Sequence, residues 1–155
     1  MSEATAFSEE QRRTLAAVLD EIIPPSGDGR LPGAGEIGVV AHVERGLAQL
    51  AVLIPIIAQG LATLDELARK RGAASFVALA RADRSAVLAE LVAAQAGFLG
   101  PLVFHTYVGY YQEPRALAGI GLEPRPPHPK GHVLEPGDFG LLDAVRSRGP
   151  IWRPT

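Results

Sequence analysis

The chain has 155 residues, no cysteine, 47% hydrophobic residues and a formal net charge of −2. That length and apolar content support one folded core without staples. The missing thiols exclude disulfides, Cys-ligated iron–sulfur clusters and covalent haem attachment, and the lack of a basic stripe argues against nucleic-acid binding.

The opening stretch MSEATAFSEEQRRTLAAVLDE is acidic and polar. It has no apolar h-region, so it does not read as a secretory signal, and the Arg12-Arg13 pair is followed by charged and helix-forming residues, which makes a poor twin-arginine signal. The expected location is the cytoplasm, unless a partner carries the chain across a membrane. Ser8-Glu9-Glu10-Gln11 fits a capping box. Leu15, Val18, Leu19, Ile22 and Ile23 follow at helical spacing and Pro24-Pro25 stops the helix. PPSGDGRLPGAGE, residues 24–36, reads as a flexible loop.

A second helix is expected from near Glu36, with Ile37, Val40, Val43, Leu47 and Leu50 on its apolar face. Residues 46–64 carry no charge over nearly a bilayer's span, but Gln49, Pro55, Gln59 and Thr63 interrupt them, so two buried helical pieces meeting near Pro55 are expected. The third helix is expected to start at Pro55 and run through Leu61, Leu64, Leu67 and Ala68 to Gly72. Its Asp65, Glu66, Arg69, Lys70 and Arg71 read as a solvated face, with Asp65–Arg69 and Glu66–Lys70 at pairing distance.

SFVAL, residues 75–79, reads as a short helix or turn. Asp83 is expected to cap a fourth helix with Val87, Leu88, Leu91 and Val92 on one face. Gly97 and Gly100 interrupt the pattern, and Pro101 opens a helix that ends before Pro114. No stretch alternates as a half-buried strand does. The fold class is all-α, a bundle of about five helices over residues 1–121.

Residues 122–155 hold seven of the thirteen prolines and cannot continue the bundle. Val133, Leu134, Phe139, Leu141, Leu142, Val145, Ile151 and Trp152 make the segment too apolar for a solvated tail. It reads as a long proline-rich C-terminal arm with one short helix, capped by Asp138 and ended at Gly149-Pro150. Such an arm docks on its own domain or on a partner.

Phe104, Tyr107, Val108 and Tyr111 share one helical face, which reads as a core stripe. His105, Gly109 and Gln112 line an adjacent face. A ligand site would use His105, Tyr107, Tyr110 and Gln112. His128 and His132, in HPKGH, do not read as a metal pair, because Pro129 and Gly131 break the helical spacing and no cysteine or carboxylate set joins them. No metal site is expected. No serine lies in G-x-S-x-G, and no phosphate loop or dinucleotide fingerprint is present.

Two regions carry a family likeness: FSEEQRRTLAAVLDEIIPP, and GFLGPLVFHTYVGYYQEPRALAGIGLEPRPPHPKGH. Together they resemble the family of the small, third subunit of gluconate 2-dehydrogenase. Ile22-Ile23-Pro24 matches the end of its opening helix, and Gly109-Tyr110-Tyr111 with Pro114 matches its late helix. The resemblance implies a non-catalytic accessory subunit that stabilises a larger flavin-dependent sugar or alcohol dehydrogenase of the glucose–methanol–choline type. The FAD would sit in that partner and no cofactor in this chain. The missing twin-arginine signal departs from many members, which suggests a cytoplasmic partner or a chain acting alone.

Phe139, Leu142, Ile151 and Trp152 are the expected partner anchors, since aromatic and aliphatic residues often occupy interface centres. The alternative is a free-standing ligand-binding protein or enzyme with a pocket near His105, Tyr107 and Tyr110. A third reading is a homo-oligomer that exchanges arms.

Overall fold

The computed structural model describes residues 6–125, 131 and 135–149. Among these are seven α-helices and no strand, so the fold is an all-α bundle. The chain forms two compact units, residues 1–124 and 125–155. His128, His132, Val133, Leu134, Ile151 and Trp152 lie outside the described residues.

In the first unit, helix α1 spans Glu9–Ile22, α2 Val39–Ala48, α3 Leu53–Lys70, α4 Arg81–Ala94, α5 Leu99–Tyr110 and α6 Pro114–Gly119. Helix α1 touches α2, α3, α4 and α5, while α2 pairs with α5 and α3 with α4. Its start is a full capping box: Gln11 N–H donates to Ser8 Oγ at 3.2 Å, and Ser8 N–H donates to Gln11 Oε1 at 2.9 Å. Leu15, Val18 and Leu19 are fully buried, and each contributes about 1.5–3 kcal/mol by leaving water. Around them pack Val43, Leu47, Ile57, Leu61, Leu64, Phe76, Val87, Phe98 and Leu102.

Several boundaries differ from the expectation. Glu36 lies in a 3-10 turn, and α2 begins at Val39. The break in the charge-free segment falls at residues 49–52 rather than at Pro55, and Leu50 is exposed. Pro55 and Pro101 each sit at the third position of their helices, where a missing N–H still leaves no intrahelical bond unmade. Asp83 likewise stands inside the first turn of α4, after the uncapped Ala80. There its charge faces the positive end of the helix dipole. No helix among the described residues is long and apolar enough to cross a membrane.

Two sequence readings need larger correction. The glycine- and proline-rich stretch after α1 is not a free linker: Pro32, Gly33 and Ala34 are buried. Ala34 N–H donates to the Ile23 carbonyl at 3.0 Å, and Gly35 N–H donates to Asp20 Oδ1 at 2.7 Å. At Gly33 and Gly35 a Cβ would collide with Asp20 and the Ala16 backbone, so glycine lets the loop lie flat on α1. Burial, offset in part by the Gly35 bond, lifts the Asp20 carboxyl above its ordinary range.

Asp65, expected on a solvated face, is buried. It accepts from Phe76 N–H at 2.8 Å and from Thr14 Oγ1 at 3.2 Å, joining α3 to α1 and to the turn before α4. Arg71 pairs instead with Glu90 of α4 at 2.7 Å. Two further ion pairs reach across helices: Arg12 to the buried Glu44 at 3.3 Å, and Arg84 to Glu21 at 3.2 Å.

In the second unit, Asp138 accepts from Gly140 N–H at 2.9 Å and caps a 3-10 turn over Phe139–Leu142. That turn leads into the short α7, Asp143–Arg146. Phe139, Leu141, Leu142 and Val145 are exposed.

Candidate functional site

The residues that the sequence offers for chemistry lie mostly on α5, and α5 is held by a regular seam with α2. The two helices run antiparallel in a four-residue register. Gly38 faces Glu113, His42 faces Gly109, and Gly46 faces His105. Each position sets a small residue against a large one. A Cβ at Gly109 would stand 2.8 Å from the His42 ring, and one at Gly46 would overlap the His105 ring. The two imidazoles lie 6.4 Å apart, tilted by 56°. Small residues facing bulky ones let the two helix axes come close while the rings fill the space between.

This seam fixes which way each α5 side chain points. Leu102, Thr106, Gly109 and Tyr110 face inward. Thr106 Oγ1 donates to the Leu102 carbonyl at 2.6 Å, which satisfies a buried hydroxyl locally. Tyr110 is 1% exposed, and its hydroxyl donates to the Pro32 carbonyl at 2.8 Å. Burial, and then the neighbouring Tyr111, push the Tyr110 phenol above its ordinary value, so it stays protonated. Burial and the nearby His42 push His105 below its ordinary value. The neutral ring therefore dominates at neutral pH.

The expected core stripe points the other way. Phe104 is 63% exposed, Tyr107 47%, Tyr111 46% and Val108 37%. A helix turning 100° per residue places these four about opposite Leu102, Thr106 and Tyr110, and the seam has chosen the second set for the core. The outward rings still touch: Tyr107 and Tyr111 lie 6.1 Å apart, Tyr111 stands edge-on to Tyr110 at 5.2 Å, and Phe104 stands edge-on to His105 at 5.2 Å.

His105, Tyr107, Tyr110 and Gln112 thus reach three surroundings rather than one. His105 lies in the seam, Tyr110 in the core, and Tyr107 and Gln112 at the surface. Of the expected partner anchors, Phe139 and Leu142 are exposed in the second unit, and Ile151 and Trp152 are not among the described residues. Among the described residues no three His, Asp or Glu side chains gather as metal ligands. An open groove of ≈ 390 Å³ is lined by Gly29, Arg30, Pro32, Arg115, Ala118 and Gly119, with Arg30 Nη2 donating to the Gly119 carbonyl at 3.2 Å.

Sequence reading missed His42, Gly46 and Pro32. The first two were findable: Gly38-x3-His42-x3-Gly46 mirrors His105-x3-Gly109-x3-Glu113 at a helical repeat. Nothing local in the sequence marks Pro32 as the acceptor for a tyrosine 78 residues away.

The two regions that carry the family likeness meet where α1 packs against α5, and the loop that follows the first region accepts the Tyr110 hydroxyl at Pro32. Compared with known proteins, the chain matches the family described as gluconate 2-dehydrogenase subunit 3 over residues 9–119. The match starts at the first residue of α1 and ends at the last residue of α6. No curated protein and no solved structure matches the chain. The chain belongs to the gluconate 2-dehydrogenase subunit 3 family, whose description as a dehydrogenase subunit implies a partner subunit.

Proposed function

We propose that this member of the gluconate 2-dehydrogenase subunit 3 family is a non-catalytic accessory subunit that stabilises a larger flavin-dependent sugar or alcohol dehydrogenase. The observation that carries this reading is the family match across all six helices of the first unit. The disposition of the α5 side chains supports it. His105 is half-buried, Tyr110 is buried and Tyr107 and Gln112 are exposed, a spread that favours packing roles over one shared pocket. The Tyr110 hydroxyl is already committed to a backbone carbonyl.

In this reading the FAD belongs to the partner, and the complex works in the cytoplasm. Residues 122–155 act as an arm whose Phe139, Leu142, Ile151 and Trp152 anchor to that partner. Proline-rich backbone suits such a role, because a stiff segment loses less conformational entropy on docking.

Coexpression with the larger dehydrogenase subunit of the same genome tests the proposal. The purified chain alone is expected to bind no FAD and to oxidise no sugar or alcohol. The pair is expected to co-elute with bound FAD, and the larger subunit alone to be less soluble or less heat-stable. Substrate oxidation by the isolated chain, or failure of the two to associate, would overturn it.

A further inference from the structure

Helix α5, LGPLVFHTYVGY, carries no Asp, Glu, Lys or Arg. A helix that is apolar on every side is normally buried on every side. Here one side is buried, by Leu102, Thr106, Gly109 and Tyr110, and the other presents Phe104, Tyr107, Val108 and Tyr111 to solvent.

We propose that this outward face of α5 is a docking surface for the larger dehydrogenase subunit. The inference rests on the accessory-subunit reading and adds the place of contact. Two observations favour that occupant. The chain belongs to a family of dehydrogenase subunits, so a larger partner is expected. The face lies within residues 9–119, the part of the chain that the family shares, whereas residues 125–155 lie outside it. A contact common to the family lies in the shared part, and the anchors of residues 122–155 would add to it in this chain.

The face is also held ready. Helix α5 cannot roll to hide it, because Tyr110 is bonded to Pro32 and the two histidines are seated on opposite glycines. The ring contacts between Tyr107 and Tyr111 and between Phe104 and His105 limit the rotamers that docking would freeze. Aromatic side chains are enriched at the cores of interfaces, and tyrosine is among the residues that most often carry binding energy there. The matching surface on the partner is an apolar concavity with oxygen acceptors at its rim for the Tyr107 and Tyr111 hydroxyls.

The test is the affinity of the full chain for the coexpressed larger subunit, with the triple variant Phe104→Gln/Tyr107→Gln/Val108→Gln. Affinity is expected to fall by about 100-fold or more, with the helical circular dichroism unchanged. The single variant Tyr107→Glu, at an exposed position, serves if the triple variant does not fold, and is expected to weaken binding at least about tenfold.

Unchanged affinity of a folded variant overturns the docking face and leaves the accessory-subunit reading intact. Failure of the unaltered chain to bind overturns both. Light scattering that shows the free chain to be a dimer, and the variant a monomer, assigns the face to a second copy and overturns the proposal. Faster hydrogen exchange in residues 125–155 of the free variant assigns it to the chain's own arm and overturns it equally.

Discussion

The hydroxyl of Tyr110 donates to the carbonyl of Pro32 across 78 residues of sequence, in a buried site, at 2.8 Å. That bond ties the late helix to the loop that leaves the first one. Tyr110→Phe keeps the ring and removes the donor, leaving the Pro32 carbonyl buried without this partner. The expected cost is about 1–3 kcal/mol in urea denaturation, the usual range for an orphaned buried acceptor. A neutral result would show that water reaches Pro32.

The seam between α2 and α5 makes an opposite kind of prediction. Gly46→Ala should raise intrinsic helix propensity by up to about 1 kcal/mol, yet its Cβ would overlap the His105 ring. Overpacking of this kind costs about 1–3 kcal/mol, so net destabilisation is expected. Combining it with His105→Ala should recover part of the loss. A double-mutant cycle measures the coupling, and additivity of the two changes would rule out the contact.

Acid should weaken the fold through the same seam. Burial and the nearby His42 hold His105 below its ordinary value of 6.5. The folded chain then binds that proton less readily than the unfolded chain. The contribution of His105 is complete above pH 6.5 and is lost as pH falls from there through the lowered folded value. Denaturation midpoints at a series of pH values should show this limb, and His105→Gln should flatten it. An unaltered slope in that variant would assign the effect to another group.

Asp65 is the polar junction of the core, accepting from Thr14 and from the Phe76 backbone. Asp65→Ala removes the acceptor from two buried donors and is expected to cost about 3 kcal/mol. Thr14→Val should cost less, because the Phe76 bond remains. Thermal unfolding of both variants checks the order, and equal losses would contradict the geometry.

The two large corrections share one cause. An Asp within a run of charges and a loop rich in glycine and proline both read as solvated from local pattern alone. Asp65 is buried because its two donors come from residues 14 and 76, which the chain brings together only in the folded state. The loop is packed because Asp20 and Tyr110 reach it from other helices.

The sequence by itself determined the all-α class, the capping box at Ser8 and Gln11, most helix cores and the family. These rest on local spacing, on short-range hydrogen bonds and on motifs that survive in one dimension. Only the tertiary structure decided which side of α5 is the core. Both sides of that helix are apolar, so its own periodicity offers two equal choices. The fit of His42 and His105 against glycines, with Tyr110 bonded to Pro32, selects the side of Leu102 and Tyr110 and leaves Phe104, Tyr107, Val108 and Tyr111 facing out.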